Sequence, residues 1–149
     1  MAQAVSIKYG LIALMLGDGA SPTEVFAAPC GVTSLTVTTN VETNTTNLPD
    51  CDDPDLASWL AIDEISRQKQ VSGSGVLDQN AAETWREWDL AGGPKNVRVY
   101  TNLSAGAGGG HLAGSALLTA YEETGERGQR WQNSFTITFD GKPVWVPAV

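Results

Sequence analysis

Ile65-Ser66-Arg67-Gln68-Lys69-Gln70-Val71-Ser72-Gly73-Ser74-Gly75-Val76-Leu77-Asp78 runs directly into Gln79-Asn80-Ala81-Ala82-Glu83-Thr84-Trp85-Arg86-Glu87-Trp88-Asp89-Leu90. The even positions from 66 to 72 are all Ser or Gln, a period of two that predicts a strand. The glycines that follow predict a turn over 73–78. Leu77, Ala81, Trp85 and Trp88 then recur at helical spacing, on one stripe of a helix buried along that side. Asn80 with Glu83 reads as a capping box, and Asp78 competes for the same role. Gly92-Gly93-Pro94 ends the helix. A lone helix carrying two tryptophans needs something flat to pack against.

The remainder of the chain supplies strands. Residues 7–16 read as a first, buried strand stopped by Gly17-Asp18-Gly19. The apolar run Leu11–Leu16 behind Lys8 imitates a short signal sequence, but Asp18 stands where a cleavage site needs a small residue. It is also far short of the ~20 residues that cross a bilayer. Residues 25–28 are extended, and 32–40 form a threonine-rich strand. The stretch 41–55 reads as a long loop with little to offer a core. After it, Pro54 opens a short helical turn that places Leu56, Trp59 and Leu60 on one face. Strands are expected over 97–101 and 112–122, with a flexible glycine tip at 105–110 between them. Trp131, Asn133, Phe135, Ile137 and Phe139 alternate with Gln132, Ser134, Thr136 and Thr138. Asp140-Gly141 signals a hairpin into Val144-Trp145-Val146. The expected fold is mainly β: a sandwich or barrel of six to eight strands with one flanking α-helix, as a single domain over 1–149.

Net charge is −8, and it is unevenly spread. Nine carboxylates and no base lie between Lys8 and Arg67. An acidic half of this kind is a poor grip for phosphates, which argues against a sequence-reading DNA binder. Cys30 and Cys51 are too few for a disulfide framework; they could pair with each other, and the ordinary reading is two reduced, partly buried thiols. Asp50, Asp52 and Pro54 mimic the start of a calcium loop. The sixth position lacks Gly, however, and the twelfth is Ala61. Gly73–Asp78 fails as a nucleotide loop because Asp78 would repel a pyrophosphate. The sole histidine, His111, reads as an exposed residue beside the glycine tip, with no nucleophile-elbow motif to serve. No catalytic group, cofactor or metal site is expected.

Several segments carry a resemblance in order along nearly the whole chain. They are Leu16-Gly17-Asp18-Gly19 with Val25-Phe26, Cys30–Leu35, and Asn44-Thr45-Thr46 with Asp50–Asp55. Val71–Asp78 with Trp85, Gly114–Thr119 and Gly125–Gln129 complete the set. Together they resemble the tail tube (major tail) proteins of long-tailed bacteriophages with non-contractile tails, or of related gene-transfer particles. The resemblance implies a non-enzymatic virion tail subunit, assembled in the host cytoplasm as hexameric rings that stack into a hollow tube. The tape measure protein would fill the bore before DNA passes on ejection. Tail terminator and distal tail proteins would close the ends, and no membrane is involved. It assigns ring-ring contacts to the N-terminal arm, the tail after Pro143 and the loop 41–55, with Asn44, Thr45, Asn47, Leu48, Asp50, Asp52 and Asp53 as contact residues.

Two physical arguments agree with this. Pairing strand edges around a ring removes exposed edges, and head-to-tail contact along an axis gives an open filament. An acidic bore would also repel DNA. Two alternatives remain open. A secreted β-sandwich adhesin would suit the N-terminal apolar run and the sequons at Asn44 and Asn102. A small hydrolase or ligand-binding barrel would have to use His111.

Overall fold

The computed structural model describes residues 2–21 and 23–149. The strands are β1 (Ile12–Gly17), β2 (Phe26–Ala27), β3 (Val32–Leu48) and β4 (Trp59–Val76), followed by helix α1 (Gln79–Ala91). After the helix come β5 (Lys95–Thr101), β6 (Gly110–Thr124), β7 (Gln132–Phe139) and β8 (Val144–Pro147). All pairings are antiparallel, in the order β2-β1-β5-β6-β7-β4-β3. β6 is the spine: its first half pairs with β5 and its second half with β7. The Tyr9 hydroxyl, just ahead of β1, donates to the Val32 carbonyl at the start of β3, 2.8 Å away. Because β1 and β3 lie near opposite ends of the strand order, this bond requires the sheet to curl toward closure.

The core is the face that the sheet turns to α1. Leu14 and Leu16 of β1, Val97 and Val99 of β5, Val71 of β4 and Phe135, Ile137 and Phe139 of β7 are buried there. Ala81, Trp85 and Trp88 descend onto them from the helix, while Leu77 precedes it and is half-buried. Trp85 is the centre. Its ring stacks on Phe135 at 4.5 Å between centroids, on Tyr121 at 5.8 Å and on Trp88 at 6.3 Å. Such contacts add to the large apolar area that each aromatic ring removes from water. The Trp88 indole N–H is satisfied by the Gly93 carbonyl at 2.9 Å. Asp78 is the N-cap, its carboxylate accepting the Ala81 N–H at 3.0 Å. Arg86 grips Glu123 of β6 with two bonds of 2.9 and 2.8 Å, and the Tyr121 hydroxyl donates to the same carboxylate. The Arg86 bond holds Glu123 below the usual glutamate range. Burial, aided by Glu123, pushes the Tyr121 hydroxyl up to about 12.

Several sequence expectations are corrected. The first strand begins at Ile12, not residue 7, and Tyr9–Leu11 form a 3-10 turn. β4 does not turn at Gly73 but continues to Val76, paired on both sides. Its glycines supply room rather than a turn. A Cβ on Gly73 would stand 2.6 Å from the Ser34 carbonyl oxygen and 2.8 Å from the Phe135 ring, and one on Gly75 would strike the Gly31 carbonyl. Asp140-Gly141 makes no hairpin. β8 pairs with the same side of β6 as β7 and continues its line, so 140–143 interrupt one edge. Trp131 lies outside β7 and is 57% exposed, because its carbonyl accepts the Leu77 N–H and its indole lies over Gly125. His111 sits within β6, half-buried and 4.7 Å from the Tyr100 ring, rather than at an exposed turn. Both cysteines are exposed and free rather than partly buried.

Two expectations follow. Trp85→Ala should cost about 3–5 kcal/mol in urea unfolding, whereas Trp131→Ala should cost less than about 1 kcal/mol. Glu123 titrates lower when folded than unfolded, so its stabilisation is complete above the ordinary value of 4.5 and is lost as pH falls through its folded value. Glu123→Gln should flatten that acid limb of the stability-pH curve, measured by denaturant midpoint from pH 7 downward.

Candidate assembly interface

The β3–β4 pair outgrows the sheet. β7 supports β4 only from Gln70 to Val76, yet β3 and β4 remain paired out to Leu48 and Trp59. The distal ribbon, Asn40–Leu48 against Trp59–Gln68, therefore projects as a two-stranded arm about 30 Å long. A loop was expected over 41–55. Instead Val41–Leu48 is strand because it pairs with β4, where Val41, Thr43, Thr45 and Thr46 oppose Arg67, Glu64, Ile62 and Ala61. Asn44, Thr45, Asn47 and Leu48 thus lie in β3, and only Asp50, Asp52 and Asp53 occupy the tip. Trp59 and Leu60 are neighbours in β4 and point to opposite faces, not to one helical face.

The cross-strand partners define both faces of the arm. Leu48–Trp59 and Thr46–Ala61 lie on one face, Asn47–Leu60 and Thr45–Ile62 on the other. A bulge between Glu42 and Thr43 leaves Ile65 unpaired. Trp59 is 87% exposed, Ile62 67%, Leu60 65%, Ile65 62% and Leu48 55%. An isolated two-stranded ribbon is marginal in water, and apolar side chains bared on both faces mark a contact surface. At the tip, the Asp50 carboxylate accepts the N–H groups of Asp52 and Asp53 at 2.8 and 3.1 Å. Those bonds hold its pKa down, so it stays charged. The Ser58 hydroxyl bonds Asn47 across the tip. The exposed apolar set Trp59, Leu60, Ile62 and Ile65 was missed from the sequence, although the run Trp59-Leu60-Ala61-Ile62 is a strand signal with apolar residues on both faces.

Around a groove on the body, polar groups are engaged within the fold. A groove of about 930 Å³ between β1–β2 and α1 is lined in part by Glu24, Asp78 and Lys95. Glu24 accepts from the Gly19 N–H and the Asn96 amide, each at 2.8 Å, Lys95 donates to the Gly17 carbonyl, and Asp78 caps the helix. Arg98 lies over the Phe26 ring at 3.8 Å and donates to the Tyr100 hydroxyl. Among the described residues, no three His, Cys, Asp or Glu side chains converge as metal ligands.

The molecule is thus a curled antiparallel sheet with one helix on its inner face and one long arm that bares apolar residues. The chain belongs to the phage tail tube protein family, whose model matches residues 11–145. It is similar to a chain in the tail of an empty gene transfer agent particle refined with helical C6 symmetry. That match has a TM-score of 0.74 at 15% identity and covers 95% of this chain and 99% of that one. It is also similar to the SPP1 tail tube, with a TM-score of 0.71 at 9% identity over 97% of this chain and 81% of that one. A chain of the anti-feeding prophage baseplate matches with a TM-score of 0.58 at 11% identity, covering 99% of this chain and 97% of that one. No curated protein sequence matches the chain.

Proposed function

We propose that this tail tube subunit acts without catalysis, as hexameric rings stacked into a hollow conduit in a virion or gene-transfer-particle tail. The tape measure protein occupies the bore first, and DNA follows. Terminator and distal tail proteins meet the two ends. The arm carries this reading: it brings apolar residues to both faces of an unsupported ribbon, which only another subunit of an assembly would cover. Its residues Asn44, Thr45, Asn47, Leu48, Asp50, Asp52 and Asp53 are the contact set toward the next ring, together with the N-terminal segment and the tail after Pro143. The C6 symmetry of the gene transfer agent tail supports the ring number.

A bore that passes DNA must not hold it. The sheet face opposite the core carries Thr36 and Thr38 of β3, Gln70, Ser72 and Ser74 of β4 and Ser134, Thr136 and Thr138 of β7. These are hydroxyls and an amide, and Arg98 of β5 on the same face is held over the Phe26 ring rather than free to neutralise a phosphate, which suits a sliding surface.

The test is assembly. Purified protein at high concentration should form rings or hollow tubes by negative-stain microscopy, and a persistent monomer across salt and concentration would overturn the reading. Asn44 and Asp63 are cross-strand partners, so replacing 45–62 by an Asn-Gly turn closes a shorter ribbon. No residue of the removed stretch is buried. We expect that variant to keep its circular dichroism and melting point but to form no tubes.

A further inference from the structure

We infer that the arm tip of one copy docks on the turn Gly125–Trp131 of a copy in the next ring. This inference rests on the stacked-ring reading above and names its receiving surface. The turn lies at the other end of the β3–β4 ribbon from the tip, because Gln132, which follows it, pairs with Val76 at the far end of β4. With the ribbon along the stacking axis, head-to-tail stacking presents these two ends to each other.

Their chemistry is complementary. The tip carries Asp50, Asp52, Asp53 and Asp55 and no base between Pro49 and Ser58. Most cations of the chain are already occupied. Arg67 pairs with Glu64, Arg86 with Glu123, and Arg98 with Phe26 and Tyr100, while Lys69 donates to Thr39 and Lys95 to Gly17. Arg127 and Arg130 share one turn, both exposed, and neither has an ion pair or side-chain hydrogen bond among the described residues. Glu126 is the only acid within that turn, and neighbouring Asp78 is engaged at the helix cap. Beside this turn, Trp131 is 57% exposed and Val76 45%. The Trp131 indole is seated rather than loose, lying where a Cβ on Gly125 would be. Two cations beside a fixed aromatic plate meet four carboxylates beside Leu48, Leu56 and Trp59.

Two experiments on the full chain test this. Arg127→Glu/Arg130→Glu should leave the circular dichroism unchanged and raise the concentration at which tubes appear at least about tenfold. Asp52→Arg/Asp53→Arg added to it should restore growth. Unchanged tube formation in the first variant, or no recovery in the second, overturns the inference while the tube reading stands. Should the charge-reversed chain misfold, Arg127→Gln/Arg130→Gln repeats the measurement. Independently, Gln129→Cys in a Cys30→Ser background places a thiol on the turn to meet native Cys51 at the tip. A short bismaleimide should then yield a covalent ladder from assembled tubes, and tubes without a ladder overturn the inference. If the wild-type chain forms no tubes at all, it is the stacked-ring reading that fails.

Discussion

Everything in this molecule hangs on the stack of Trp85 over Phe135. Phe135 can lie there only because Gly73, its partner across the β4–β7 ladder, has no side chain to occupy the same space. A methyl group at that position would stand 2.8 Å from the Phe135 ring, and α1 would lose the plane on which it rests. Trp85 is 1% exposed, and Tyr121 and Trp88 complete its surround. One absent side chain thus fixes where the helix docks and which sheet face is covered. That choice in turn leaves the other face of β3, β4 and β7 to hydroxyls and an amide.

The same strand that receives the helix also leaves the body. β4 is supported on both edges from Gln70 to Val76 and by β3 alone from Trp59 to Lys69. The two halves differ in composition accordingly. Val71 is fully buried, whereas Trp59, Leu60, Ile62 and Ile65 are large, apolar and exposed. Burying such side chains is worth roughly 1.5–3 kcal/mol each, so a surface that covered the arm would stabilise it. One continuous ladder thus carries both a core strand and a bared arm.

The sequence was legible wherever one face was buried and the other wet. β7 alternates over its whole length because Phe135, Ile137 and Phe139 face the core while Thr136 and Thr138 do not. The helix was legible through Ala81, Trp85 and Trp88, and its end through Gly92, whose φ is 69°. Legibility failed where partners, not periodicity, decide structure. Val41–Leu48 has no core face, so its strand character comes only from pairing with β4. Gly73 and Gly75 look like a turn because local sequence cannot show Ser34, Phe135 and Gly31 pressing on them. Asp140-Gly141 has the composition of a hairpin, yet β6 is long enough to hold both β7 and β8 along one side. The exposed apolar residues of β4 carry a strand signal, but apolar residues on both faces of a ribbon match neither a core strand nor a loop.

The arm leaves the body at one end only, and this gives any stack of these subunits a polarity. In the stack proposed above, one terminus would bristle with fingers tipped in carboxylate and the other would show vacant seats. Two finger-bearing termini would repel each other, so such fibres would lengthen in one direction only. Whatever stopped their growth would come in two forms, one shaped as a seat and one as a finger.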